Sequence, residues 1–561
     1  MIRHSDEKDY AAAAAYFRQL GPYYAKDQWS DLELVMFDKY AQCLEHLDEY
    51  EDFVPVCLKI IAKVVKSLQT SVPAQKVTSS GHGSVTRRNY LSRLISASQT
   101  LRELIVIPLD HCFGSVSLSR FITHEQHKDS FYLRMEIDHV LAERFTAEEI
   151  RCTLSGEDSH TDAVLGLSAA NVVFEPQSRV TVYLESSTMV PGRFLVDEIR
   201  IRAGRLAFVQ ELSGAPESPF KRSHSIVEMP SVPRPVHRVL LWPQPRALDV
   251  QLSLSRSLSL DQRRSLDIKL LSGWNQISTG SLVLRAGSAG LRLHTSDAES
   301  IGPPVLKAKV AEPGLFDFEN VPADTTLQVR VPYTLESEVN EVTVKISVTY
   351  RTAEGEFVFA STMKAGVILA LSINVQDNFQ KDFLISKFTM GTATMNPVRI
   401  MACNVHGTDD FSVTSLPLPS WTNVLPGQPA SLMCKIKHDQ DPRTSSQGRR
   451  LQRELRLSIQ YVCLDEEVEA CLKNLLMTRI EVSPFSQMAR LLLQPLVNHV
   501  RRQIKYEDLE AIGLLRRFDV APIHYGALDH ILEELPRKHR GPLMRWLQQW
   551  QEVWSPPDRR R

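Results

Sequence analysis

Cysteine is scarce in this sequence and never closely paired. The eight residues, at positions 43, 57, 112, 152, 403, 434, 463 and 471, contain no Cys-x-x-Cys, so neither a zinc ribbon nor a dithiol redox motif can be built from them. So few thiols in 561 residues exclude a disulfide-stapled scaffold and read as reduced, mostly buried side chains. No Asn-x-Ser/Thr glycan acceptor occurs either, and together these favour the cytosol. A run of about 18 apolar residues, enough to span a bilayer, is also missing. The opening MIRHSDEKDY is charged where a secretory signal would be apolar, so any membrane contact is expected to be peripheral or through partners. An excess of one charge is lacking too. The formal net charge is −1, whereas a binder that works by neutralising phosphates needs a basic surface, so no nucleic-acid partner is expected.

Catalytic signatures are absent in the same way. The phosphate-cradling G-x-x-x-x-G-K-[ST], His-Glu-x-x-His and Gly-x-Ser-x-Gly patterns do not occur. Gly287-Ser288-Ala289-Gly290 lies between strand-like segments without a following helix and reads as a turn. Ser361-Thr362-Met363-Lys364 fits the short Ser-x-x-Lys form but has no partner motif, and His111-Cys112 has no second pair at a metal-ligand spacing. The chain is therefore expected to be no enzyme, with no catalytic residue, cofactor or metal. Hydrophobic residues at 43% and charged residues at 23% are ordinary for a folded protein, and the length predicts four or five units of roughly 100 to 200 residues.

What the sequence does contain is rhythm. Val342, Val344, Ile346, Val348 and Tyr350 alternate with Thr343, Lys345, Ser347, Thr349 and Arg351, which puts apolar groups on one face of an extended chain. Thr352-Ala353-Glu354-Gly355 supplies a turn, and Phe357 with Phe359 resumes the alternation as the returning arm of a hairpin. Phe131 to Ile137, Ile150 to Leu154, Val180 to Leu184 and Gly192 to Arg202 repeat the two-residue period, as do Leu432 to Ile436 and Leu455 to Tyr461. The ends have a helical period instead. Ser30-Asp31-Leu32-Glu33 has the form of a capping box before a stripe of Leu32, Met36, Tyr40, Cys43, Leu44 and Leu47. Tyr50 to Leu68 repeats it through Phe53, Val56, Cys57, Ile60, Ile61 and Val64, and Tyr90 to Ile105 predicts a further helix.

These periods predict a multidomain α + β chain. Residues 1–107 are expected to be helical, the end of an α-solenoid; three immunoglobulin-like antiparallel β-sandwiches follow at 128–214, 246–364 and 365–483, with a proline-rich linker at 215–245; C-terminal helices occupy 484–556. In the last helix Leu543, Trp546, Leu547, Trp550 and Trp554 are expected to share one face, with Pro542 in its first turn. Trp546, Trp550 and Trp554 read either as core packing or as a partner-binding face. Arg449, Arg450 and Arg453, near Arg456, read either as a solvated loop or as a contact for acidic lipid headgroups or an acidic partner.

Several dispersed stretches carry a family resemblance. Trp29…Leu32-Glu33…Tyr40-Ala41-Gln42-Cys43-Leu44, Glu51-Asp52-Phe53-Val54, Gly273-Trp274-Asn275, Ser288-Ala289-Gly290-Leu291-Arg292-Leu293, Val331-Pro332-Tyr333-Thr334 and Val375-Gln376-Asp377-Asn378-Phe379 are similar to the C-terminal half of the TRAPP complex subunit 10 family. That family provides the large subunit specific to transport protein particle complex II, and the likeness is to its fungal form. Members are longer and begin with a further large N-terminal region, so this chain is expected to be a fragment, a truncated gene model or a shortened paralogue. The resemblance implies a non-catalytic scaffold in a tethering complex that exchanges nucleotide on Rab GTPases, with other TRAPP subunits as partners. The Rab would be met through the complex, the exchange surface would lie on the small core subunits, and the protein would be cytoplasmic and peripheral at the Golgi and trans-Golgi network. The residues alone leave open a coat or cargo-adaptor scaffold outside TRAPP, or an enzyme with appended sandwiches.

Overall fold

A computed structural model of the 561-residue chain describes residues 9–26, 30–70, 89–100, 103–157, 163–212, 237–259, 263–308, 312–336, 339–407, 411–416, 419, 421–438, 455–505, 518–520, 535, 537–549 and 552–554. It divides into two compact units, residues 1–126 with 130–241, and residues 127–129 with 242–561.

The first unit opens with helices α1 (Tyr10–Lys26), α2 (Ser30–His46), α3 (Tyr50–Thr70) and α4 (Tyr90–Ser98), each packed on the next. The α3 stripe is buried as its spacing predicts, from Phe53 through Cys57, Ile60 and Ile61 to Val64. In α2 the buried face is rotated: Leu32 is exposed while Leu34, Phe37 and Ala41 are buried beside Met36, Tyr40, Cys43 and Leu44. The Glu33 carboxylate pairs with Lys63 of α3. The described helices are short, and a solenoid is not shown. The helix expected to reach Ile105 stops at Ser98, and Ile105–Pro108 is already a strand, as its β-branched run Ile105-Val106-Ile107 favours. Glu143 closes the other end of α4, accepting the N–H groups of Leu91 (3.0 Å) and Ser92 (2.9 Å), which places an anion where the first helical turn has unpaired donors.

The strands of this unit are β1 (Ile105–Pro108), β2 (Val116–His124), β3 (Phe131–His139), β4 (Phe145–Gly156), β5 (Val164–Phe174), β6 (Ser178–Ser186), β7 (Thr188–Met189), β8 (Gly192–Ala203), β9 (Leu206–Glu211) and β10 (Arg238–Leu241). All of them but β7 form one sheet in the order β1-β9-β8-β10-β2-β3-β6-β5-β4, and β4 pairs back onto β8, so the hydrogen-bonded path returns on itself. Its interior holds an aromatic cluster: Phe145 stacks on Phe174 (4.7 Å between centroids), and Phe113 meets Phe145, Phe174 and Phe208 at 5.4 to 5.8 Å.

The second unit begins with β11 (Asp249–Leu254), β12 (Ser257–Ser259), β13 (Ser265–Leu271), β14 (Ile277–Ala286), β15 (Leu291–Leu293), β16 (Glu299–Ile301), β17 (Lys307–Ala308), β18 (Leu315–Val321), β19 (Thr326–Leu335), β20 (Glu341–Thr352) and β21 (Gly355–Gly366). One sheet is ordered β11-β13-β19-β15, with β16 also on β19; in the other, β17, β18, β14, β20 and β21 neighbour each other in that order. The β20–β21 hairpin is the one the alternation predicts. Val342, Val344, Ile346, Val348 and Tyr350 are all buried, Val348 faces Phe359, Tyr350 faces Phe357, and Thr352 pairs with Gly355 across the turn.

Two further sheets follow, built with β22 (Leu371–Phe379), β23 (Leu384–Thr392), β24 (Val398–His406), β25 (Phe411–Ser415), β26 (Thr422–Val424), β27 (Ala430–His438) and β28 (Arg456–Cys463). Their orders are β22-β23-β27-β25 and β12-β28-β24-β26. Side chains from both sheets share one core, including Phe388, Met390 and Leu432 from the first and Val398, Ile459 and Tyr461 from the second. Helices α5 (Leu464–Val482), α6 (Ala489–Gln503) and α7 (Arg537–Gln549) come next, then β29 (Phe518–Val520) pairs with β30 (Glu552–Trp554). α5 starts well before Pro484, and its first turn carries Asp465, Glu466 and Glu467 toward the positive helix end.

Candidate functional site

In the second unit a polar arrangement forms where the turn Arg246–Asp249, the 272–275 corner and the start of α6 meet. Gly273 makes the corner possible. Its φ is +58°, and a Cβ there would lie 2.0 Å from the Arg246 carbonyl oxygen. Because the backbone can approach so closely, Trp274 N donates to Arg246 O (3.0 Å) and the corner turns its indole and amide toward Asp129. The Asp129 carboxylate then accepts from Trp274 Nε1 (2.8 Å), Asn275 Nδ2 (2.8 Å), Leu248 N (3.0 Å) and the Tyr350 hydroxyl. Burial first, and the facing Asp129 charge second, hold the Tyr350 phenol far above its ordinary range, so it stays a neutral donor.

Arg490, in the first turn of α6, is the cationic member. Its buried guanidinium donates to the carbonyls of Pro245 (2.9 Å), Ala247 (2.8 Å) and Leu248 (3.3 Å) and pairs with Asp249 (3.3 Å). Burial lowers its pKa, while Asp249 and Asp129 act in the opposite direction. Trp242 Nε1 adds a bond to Gln487 O (3.0 Å) just ahead of the same helix. Four donors converge on Asp129 and four carbonyl contacts on Arg490, so both side chains are engaged in holding this corner together. What it can do is fix the base of the C-terminal helices rigidly to the β-rich part of the unit.

All eight cysteines are free, and burial pushes Cys152 and Cys463 up to about 12 and Cys403 up to about 11, which suppresses the thiolate that nucleophilic or metal chemistry requires. Among the described residues no group of three His, Cys, Asp or Glu is placed to hold a metal ion. Cys112 of the His111-Cys112 pair is fully buried, and burial raises its thiol as well. Ser361 and Lys364 both lie in β21, where residues three apart point to opposite faces, and Lys364 pairs with Glu341 (3.9 Å). Gly287 to Gly290 is a turn: Gly287 N donates to Thr343 O (2.8 Å), Ser288 Oγ accepts from Thr343 N (2.7 Å) and Gly290 has φ +77°.

The expected partner face fares differently residue by residue. Trp546 is half-buried with its ring 6.1 Å from that of Phe485, and Leu543 and Leu547 beside it are fully buried, so this part of α7 packs inward. Trp554 is not on the helix. It lies in β30 opposite Phe518, because the chain leaves the helical period after Gln549. Pro542 is inside α7 rather than in its first turn, since the helix begins at Arg537. Trp550, Arg449, Arg450 and Arg453 lie outside the described residues, while Arg456 heads β28. The Asp129 and Arg490 node was not legible beforehand. Gly273-Trp274-Asn275 was its one visible signal, and nothing local marks Asp129 or Arg490.

The second unit thus joins several β-sheets to a helical segment anchored through a polar junction. Comparison with protein families finds matches over three segments. Residues 466–555 match the TRS130-like four helical bundle domain, residues 245–365 a domain of unknown function (DUF7077), and residues 94–214 another (DUF7076). The bundle match covers the stretch that contains α5, α6 and α7 and indicates a TRAPP II, Trs130-like C-terminal region. No curated protein matches the chain. Among solved structures it is similar to E. coli alpha-2-macroglobulin in its native conformation (10% identity over 63% of this chain and 23% of that one, TM-score 0.17). It is also similar to red sea bream transglutaminase (10%, 53% and 34%, TM-score 0.17) and to the collagen adhesin of S. aureus (8%, 47% and 98%, TM-score 0.15). The chain thus spans about a quarter of the macroglobulin and a third of the transglutaminase. Likenesses with such TM-scores say nothing about what this chain does.

Proposed function

We propose that this chain is a non-catalytic scaffold subunit of a TRAPP II-type tethering and Rab exchange complex. It would act from the cytoplasm at Golgi membranes, reaching the Rab through other TRAPP subunits that carry the exchange surface. The observation that carries this reading is the match of residues 466–555 to the TRS130-like four helical bundle domain. The Arg490 anchor supports it physically, because a bundle held at its base by a buried guanidinium presents its outer surface in a fixed orientation. Trp550 and Trp554, with Arg449, Arg450 and Arg453 and the exposed part of the half-buried Trp546, are the contact residues proposed for partners. The resemblance in Gly273-Trp274-Asn275 adds to this, since these residues build the corner on which Asp129 is held.

Affinity purification of the tagged full chain from the cells that make it, followed by identification of bound proteins, is the test. Small TRAPP subunits should be recovered in near-stoichiometric amount, and a chain ending before residue 464 should lose them. Recovery of clathrin or coatomer without any small TRAPP subunit, or migration of the endogenous protein only as a free monomer, would refute the reading.

A further inference from the structure

The second unit contains a β-strand that is open along one side. β22 ends its sheet, and its backbone phase is fixed by two bonds at its ends: Ala393 N donates to Ala370 O (2.8 Å) and Gln380 N to Phe383 O (2.9 Å). Residues 370 and 380 therefore exchange bonds with the β23 side, and so do the even-numbered residues between them in an antiparallel ladder. The N–H and C=O groups of Ile373, Val375, Asp377 and Phe379 face the other way, and no strand among the described residues pairs with them. Of the usual defences of an edge β22 carries one, the charge of Asp377 on its core-facing side, and lacks the rest: it has nine residues in unbroken register, without proline, lysine or bulge. Asp377, its one charged residue, is bonded to Ser386 Oγ (2.6 Å).

The two faces along this edge differ in chemistry. On one, Val375 is 43% and Phe379 78% exposed, while their neighbours in the same cross-strand rows, Phe388 and Ile436, are buried in the core. That core stops short of the edge by one row of side chains. On the other face, Gln376, Lys387 and Met433 form one row, and Lys435 and Lys437 stand on the same side of β27. No carboxylate from these four strands points to this face, since Asp377 is on the opposite one.

We propose that β22 receives an extended segment of a partner protein as an added strand, in which apolar residues alternate with aspartate or glutamate. Its apolar residues complete the row at Val375 and Phe379, and its acidic residues come to lie on the face of Lys387, Lys435 and Lys437. A strand placed beside β22 is about 10 Å from β23, which Lys387 and a glutamate side chain bridge together, while Lys435 and Lys437, one strand further on, add positive potential to the same face. A second copy of β22 fits less well, because LSINVQDNF brings no carboxylate to the lysine face. This surface is separate from the C-terminal helices on which the proposed function rests.

The test uses the full chain and a fluorescein-labelled nine-residue peptide alternating valine with glutamate, read by fluorescence anisotropy. Saturable binding is expected, weakening as salt is raised, with no binding by the same peptide carrying lysine in place of glutamate. Val375→Pro removes an edge N–H without touching the β23 ladder and should weaken binding about tenfold or more. The double variant Lys387→Glu/Lys435→Glu should do the same while accepting the lysine peptide. If Val375→Pro melts early, Val375→Lys blocks the same edge with the backbone intact. Equal binding of both peptides, unchanged binding by the blocked-edge variant, or a dimer of the chain that Val375→Lys dissociates would each overturn the proposal.

Discussion

Replacing Arg490 by methionine keeps the length of the side chain and removes its charge and every donor. Four contacts to the Pro245, Ala247 and Leu248 carbonyls and the pair with Asp249 vanish together. Breaking a fully buried ion pair by removing one member costs about 3 to 5 kcal/mol. The Asp249 side chain is 31% exposed, so water can solvate it once Arg490 is gone, and the variant also escapes the burial that lowers the arginine pKa. Discounting for both leaves about 2.5 kcal/mol, or roughly seventyfold in an opening equilibrium. In a chain of two units a single unfolding free energy is not well defined. Hydrogen exchange of the α6 amides reads the local opening directly. Exchange in residues 489–503 should accelerate by about that factor, with the aromatic cluster around Phe113 unaffected. Arg490→Lys should recover part of the loss, because a single ammonium cannot reach three carbonyls as a planar fork does. An Arg490→Met chain whose α6 amides exchange as slowly as before would show that the helix base is held by apolar packing alone.

His139 is 2% exposed among Phe113, Phe145 and Phe174, with Nδ1 2.8 Å from Glu175 O, and burial lowers its pKa. The unfolded chain therefore binds a proton at a higher pH than the folded one, so the first unit should lose stability as pH falls below about 6.5, and His139→Phe should flatten that slope in thermal melts. Gly273→Ala, which drives a Cβ into the Arg246 carbonyl at a positive φ, should destabilise the 246–275 corner by at least about 2 kcal/mol, seen as faster local hydrogen exchange and a shifted indole fluorescence. Glu143→Ala should cost about 1 to 2 kcal/mol by leaving the Leu91 and Ser92 amides unpaired, measured as fraying of α4.

The sequence exposed the parts of the fold that short-range periodicity encodes. Alternation from Val342 to Tyr350 needs only a strand with one buried face, and the α3 stripe only a helix on a neighbour, so both were readable. Where one period runs into another without glycine or proline between them, the reading failed. Leu457 to Tyr461 alternates directly into α5, and Cys463 at its start gives no side-chain cap bond. The helix at Tyr90 was overextended because Ile105 and Ile107 suit either period until the pairing with β9 decides. The Asp129 node was out of reach for another reason. Trp274 and Tyr350 lie 145 and 221 residues away along the chain, and a charge in a short polar stretch carries no mark of partners so distant.

Strand β12 has a practical consequence for anyone dividing this protein. Ser257 to Ser259 belong by position to the earlier β-rich stretch, yet they pair with Gln460 to Ser458, and Arg256 beside them holds Glu466. A recombinant piece beginning after Gly366 would thus be born without one of its own staves, exposing the bare margin of β28 to whatever strand it met first. Expression should start upstream of Arg256, even when only the distal half is wanted.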